Sequence, residues 1–145
     1  VTSTVRLCMH NNVPEGPPYP IRTAINGNYR YIRNLLPEEI YIEKHLTGGG
    51  RLNNPYWTTW VGSDPKHTKT YDLVKRYMRR PAEQLYHTTN DTNEMTNILG
   101  VAEHTEAHAR LSMELDRWMA EQGDSGTPID TLQALQASRI RIALR

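Results

Sequence analysis

A chain of 145 residues is long enough for one domain, which at this size buries roughly 68–70% of its unfolded surface. Its formal net charge is only +1, from 17 Lys plus Arg against 16 Asp plus Glu, so no global field favours nucleic acid or an anionic membrane as partner. With no Phe and a mean hydropathy of -0.69, the core falls to Leu, Ile, Tyr and Trp, and part of the apolar surface is expected to be completed from outside the chain.

The first residues, Val1-Thr2-Ser3-Thr4-Val5, include no initiator Met and no charged leader, so the chain is expected to begin within a longer protein. No stretch approaches the apolar length of a membrane span. Residues 2–9 predict a strand with Val5, Leu7 and Met9 on one face. The single Cys8 excludes an internal disulfide and reads as a small buried hydrophobe. From His10 to Pro20 four prolines and Gly16 forbid a ladder or a helix, and a loop of this kind is where a scaffold carries a site.

Residues 21–25 and 29–35 predict two strands joined at Asn26-Gly27, a dipeptide whose two residues tolerate positive φ. In the second strand Tyr29, Tyr31 and Arg33 share one face, and Arg30, Ile32 and Asn34 share the other. Such interleaving suits base stacking, but an antiparallel sheet with one partly wet face is the favoured reading. Arg22 leaves the Pro-rich loop and could offer a forked contact to a tetrahedral anion, or form a surface ion pair.

Residues 39–45 fit either a strand or a short helix, and Gly48-Gly49-Gly50 holds neither. The triple Gly lacks the Gly-Lys-Ser/Thr that a phosphate loop requires. Trp57 and Trp60 could stack on a sugar ring, although packing that pins the loop is favoured. Asp64 as N-cap and Pro65 at the first position predict a helix to about Arg79, with Tyr71, Val74, Tyr77 and Met78 as its apolar stripe. Lys75, Arg76, Arg79 and Arg80 gather at its C-terminal end, where cations complement the helix dipole.

Residues 79–99 then read as a strand, a polar turn and the entry to a helix. Glu83, Leu85 and His87 alternate with Gln84 and Tyr86, and the Asn, Asp and Thr side chains of 88–93 end the strand by bonding their own backbone. A helix follows over 100–122, with Val101, His108, Leu111, Leu115, Trp118 and Gln122 at three- and four-residue steps. His104 and His108 stand at i, i+4, but Thr105 follows the first His where a zinc protease carries Glu, so a metal site there is disfavoured. Gly123-Asp124-Ser125-Gly126 ends the helix, and residues 127–145 form a tail or one more amphipathic helix with a basic end.

Arg80, Pro81, Glu83, Leu85, Tyr86, Asp91, Glu94 and Asn97 fit a pattern, R-P-x-E-E-L-Y-D-L-x-x-D-P-x-E-x-x-N-L, found near the C-terminus of type I sulfatases. Gln84, His87, Thr88, Thr92 and Ile98 depart from it. Tyr19-Pro20-Ile21-Arg22 and residues 29–35 also resemble that family, most closely its heparan N-sulfatase branch and bacterial relatives. The resemblance covers about two-thirds of the chain. It implies an α+β domain over residues 1–126, a small antiparallel sheet of about four strands packed by a long helix, as in the C-terminal subdomain of the alkaline-phosphatase-like superfamily. It also makes His10, Asn11, Asn12 and Arg22 candidate contacts to a sulfated saccharide.

The family's catalytic residue lies in C/S-x-P-S-R and matures to formylglycine beside a calcium ion. Here Cys8 is followed by Met9-His10-Asn11-Asn12, which is not that motif, and no paired aspartates end a strand. The resemblance therefore implies no catalytic residue, metal ligand or cofactor in this chain. Formylglycine and calcium are expected in an N-terminal catalytic domain that would be its partner, in an exported or lysosomal protein. The alternatives are a stand-alone carbohydrate-binding module resting on Trp57, Trp60 and the Tyr-rich strands, and a nucleic-acid-binding domain resting on the Arg/Tyr strand with Arg139, Arg141 and Arg145.

Overall fold

The computed structural model describes residues 4–14, 16–43, 55–62 and 69–143. Four strands, β1 (Arg6–His10), β2 (Ile21–Ile25), β3 (Tyr29–Asn34) and β4 (Glu83–His87), form one antiparallel sheet in chain order. The helices are α1 (Pro55–Val61), α2 (Lys69–Met78), α3 (Thr105–Gln122) and α4 (Leu132–Ala143), with single 3-10 turns at Ala102–His104 and Thr127–Ile129. The class is α+β, a four-stranded antiparallel sheet carrying one long helix. The triple Gly and the expected Asp64-Pro65 helix start lie outside the described residues.

Alternation along the strands divides the core into two layers. On one face Ala24, Tyr31 and Leu85 pack against Leu111 and Leu115 of α3, with Leu7, Tyr29, Ile98 and Trp118 at the margin. A second layer joins Tyr19, Ile21 and Tyr41 to Ile32 and to Tyr77 of α2. Tyr31 is fully buried beneath α3, so this face of β3 is not exposed for base stacking. A polar network ties helix to sheet. Arg33 reaches Asp116 at 2.5 Å and Ser112 at 3.0 Å, while Glu83 accepts the Tyr31 hydroxyl at 2.8 Å and pairs with His108 Nε2 at 3.0 Å.

Several local expectations need correction. Residues 2 and 3 of the expected first strand lie outside the described residues; among the described ones the strand begins at Arg6, whose partner Ile25 ends β2. Cys8 is exposed, not buried: its neighbour Leu7 is the residue that packs into the α3 layer, so strand alternation turns Cys8 away from it. The β2–β3 turn falls where expected, yet neither Asn26 nor Gly27 has the positive φ that the dipeptide tolerates. The Asn26 side chain supplies the turn instead, its Oδ1 accepting the N–H groups of Asn28 at 3.1 Å and Tyr29 at 2.8 Å.

The helix also does not begin after Glu94. Glu94 sits at φ 53° and Gly100 at φ 85°, and Asn97 turns back onto the strand, accepting the Leu85 N–H at 2.9 Å and the Leu99 N–H at 3.1 Å. Ile98 N–H then bonds the Leu85 carbonyl at 2.9 Å, so this segment covers the outer edge of β4. Val101 accordingly lies outside α3 and is 46% exposed. At the other end Gly123 closes α3 at φ 64°, its N–H meeting the Ala120 carbonyl, while Asp124 N–H meets that of Met119.

Candidate functional site

The loop between β1 and β2 cannot hydrogen-bond to itself as regular structure does, so its amides need other acceptors. Asp130, following the Thr127–Ile129 turn, provides them. Its buried carboxylate accepts the N–H groups of Asn12 at 2.8 Å, Val13 at 2.8 Å and Tyr19 at 2.7 Å. Asn12 is itself fully buried, and its Nδ2 donates to the carbonyls of Pro17 at 2.7 Å and Ile42 at 2.9 Å. The loop folds over so closely that a Cβ at Gly16 would overlap the Ile42 carbonyl oxygen and stand 2.5 Å from Asn12 Nδ2. Only glycine fits there.

Arg22 stands beneath this loop with its side chain wholly out of solvent, and Asp124 faces it at 1% exposure. Its Nε donates to Asp124 Oδ2 and its Nη2 to Oδ1 at 3.0 Å, a forked pair. Nη1 donates to Asn11 Oδ1 at 3.1 Å and to the carbonyls of Ile21 at 3.0 Å and His10 at 3.4 Å. The Arg22 guanidinium holds the Asp124 carboxyl below the usual carboxylate range, against the opposing effect of burial, with the Gly126 N–H adding to it.

The four candidate contacts therefore separate. Asn12 and Arg22 are interior groups that shape the loop, Asn11 is half-buried against Arg22, and His10 is exposed. His10 lies edge-on to Tyr41 with ring centroids 6.2 Å apart, and Tyr41 in turn packs on Tyr19 and Tyr77, both at 5.2 Å. Arg80 stacks on Tyr41 with its guanidinium carbon 4.2 Å from the ring centroid, so the buried Tyr41 ring links the exposed His10 to the half-buried Arg80. Burial pushes the Tyr41 and Tyr77 hydroxyls well above their ordinary pKa, leaving them neutral donors at physiological pH.

His104 and His108 turn to separate partners, His104 Nδ1 to the Tyr29 hydroxyl at 3.1 Å and His108 to Glu83. Among the described residues no group of three or more His, Cys, Asp and Glu side chains is arranged to hold a metal ion. No helix among them is long and apolar enough to cross a membrane. Trp57 is buried against Tyr77, whereas Trp60 is 48% exposed beside it.

Asp124, Asp130 and Gly16 are parts of the site that sequence reasoning does not find. Asp124 reads locally as a helix terminator and Asp130 as the start of a tail, and their partners lie more than 100 residues away. A glycine set among four prolines is the one local signal of close packing. No protein-family model matches the chain, and a search of curated proteins also finds no match.

Proposed function

We propose that this chain is the C-terminal domain of a sulfatase-type hydrolase acting on sulfate ester or sulfamate groups of a sulfated sugar, where it completes the substrate pocket and is not catalytic alone. The sequence pattern through residues 80–97 supports this reading. Each polar residue of the pattern has a definite place in the fold. Asp91 Oδ2 accepts the Thr96 N–H at 2.7 Å, Glu94 pairs with Arg30 at 2.9 Å, and Asn97 covers the β4 edge.

The structural observation that carries the reading is the clamped loop. Asp130 and the Arg22–Asp124 pair hold residues 10–13 from beneath, which presents His10 and Asn11 at the end of the sheet as a preorganised wall. In this arrangement His10 and Asn11 touch substrate, and Asn12 and Arg22 keep them in place. The cation and formylglycine of the reaction belong, on this reading, to a partner catalytic domain. The test is kinetic: in the complete enzyme His10→Ala and Asn11→Ala raise KM for a sulfated sugar about tenfold. Unchanged kinetics in both variants overturn the assignment.

A second reading, a stand-alone carbohydrate-binding module, draws on Trp60. It is half-exposed at a largely apolar cavity of about 400 Å³ lined by Trp57, Trp60, Leu73 and Tyr77. Quenching of tryptophan fluorescence by a neutral oligosaccharide, lost in Trp60→Ala, favours that reading over the first.

A further inference from the structure

A second cavity, of about 340 Å³, opens between α2 and the turn that follows β4, with Arg76, Tyr77, Arg80, Gln84, Tyr86 and Met95 in its wall. The volume lies at the small end of the range for small-molecule sites. Its two arginines are held in different ways. Arg76 is committed to the protein: Nη1 donates to the Met95 carbonyl at 2.5 Å, and Nη2 donates to the Glu94 carbonyl and to the Tyr86 hydroxyl at 3.2 Å. Those bonds fix the far wall.

Arg80 is positioned without being consumed. Pro81 follows it, and its Nε donates to the Tyr77 carbonyl at 3.2 Å, at the end of α2. Its guanidinium packs against the adjoining rings of Tyr41 at 4.2 Å and Tyr77 at 5.3 Å. Among the described residues its four Nη–H groups meet no acceptor and it forms no ion pair. A guanidinium packed against aromatic rings with its outer edge unspent is a preorganised fork for an oxyanion. Glu94, which also lines the cavity, is neutralised by Arg30 at 2.9 Å, so the wall stays positive. Beside the fork, Ile32, Leu73, Tyr77 and Met95 give the cavity an apolar side.

We infer that this cavity binds the anionic group of a small ring compound, a carboxylate or a sulfate, with Arg80 as the forked donor and the apolar side receiving the ring. The site uses only side chains of this chain and does not depend on the sulfatase reading.

Calorimetric titration of the purified protein at constant ionic strength tests it, with sodium glucuronate and sodium sulfate as probes and glucose as the neutral control. Saturable binding of either anion, weakened about tenfold or more by Arg80→Gln and left within about twofold by Arg117→Gln on the exposed side of α3, supports the site. The anion that binds says whether the ring or the charge alone is recognised. Saturation by neither anion overturns the proposal, as does glucose binding as tightly as glucuronate or Arg80→Gln binding like the parent. Should circular dichroism show that Arg80→Gln does not fold, Arg80→Lys decides. That variant keeps the charge and loses the fork, so weakened binding supports the site and binding equal to the parent's overturns it.

Discussion

Removing Asp124 tests whether the pair beneath the loop holds the fold as the structure implies. Asp124→Ala leaves the Arg22 guanidinium at 0% exposure with two of its N–H groups facing an emptied space. Stripping one partner from a buried ion pair typically costs about 3–5 kcal/mol, against a total stability of about 5–15 kcal/mol for a domain of ordinary stability. For this chain length that is a fall in melting temperature of roughly 6–20 °C. Replacing both partners, Arg22→Met with Asp124→Leu, removes the orphaned charge and should cost less than Asp124→Ala alone. Urea denaturation followed by circular dichroism measures all of these variants on one scale. A loss below about 1 kcal/mol for Asp124→Ala, or a double variant that costs the sum of the singles, refutes the reasoning.

Other outcomes follow from the same geometry. Asp130→Ala leaves three loop amides without their acceptor and should destabilise the protein by about 3 kcal/mol or more, with faster hydrogen exchange at Asn12, Val13 and Tyr19. Exchange rates unchanged at all three amides contradict the clamp. Asn97→Ala should cost about 1–2 kcal/mol and speed exchange at Leu85 N–H while leaving the β2–β3 amides protected. The exposed Cys8 should react with a thiol reagent in the folded isolated chain, and protection until denaturant is added contradicts the strand register. Glu83 is held below its ordinary pKa first by the Tyr31 hydroxyl and then by His108, against burial. A depressed folded pKa means this stability is complete above the unfolded value of about 4.3 and is lost as pH falls through the lower folded value. Glu83→Gln should therefore flatten the acid limb of a stability profile, and an unaltered limb counts against the interaction.

The sheet is readable in the sequence because its information is local. A period of two in β3 and β4 assigns each side chain to a face whatever lies above it, and Leu111 and Leu115 mark α3 by their four-residue spacing. Expectation and structure part where one chemical group replaces another. The Asn26 side chain takes the part expected of positive-φ backbone, and Asn97 draws residues 94–99 onto the strand edge before a helix can start. Cys8 departs from expectation because composition ranks cysteine among buried residues, while its place in the alternation makes it face outward. The candidate site is legible only as a Pro-rich loop. Whether Arg22 reaches outward or is spent inside depends on Asp124, which is 102 residues distant and carries no sequence mark of that partnership.

The central claim, that this domain completes the pocket of a larger sulfatase-type hydrolase, is tested most directly by the intact mass and peptide map of the native protein. The account predicts a product several times heavier than 16.7 kDa with a C/S-x-P-S-R peptide preceding Val1. A native product of this mass with no such peptide would contradict it and leave the carbohydrate-binding reading in its place.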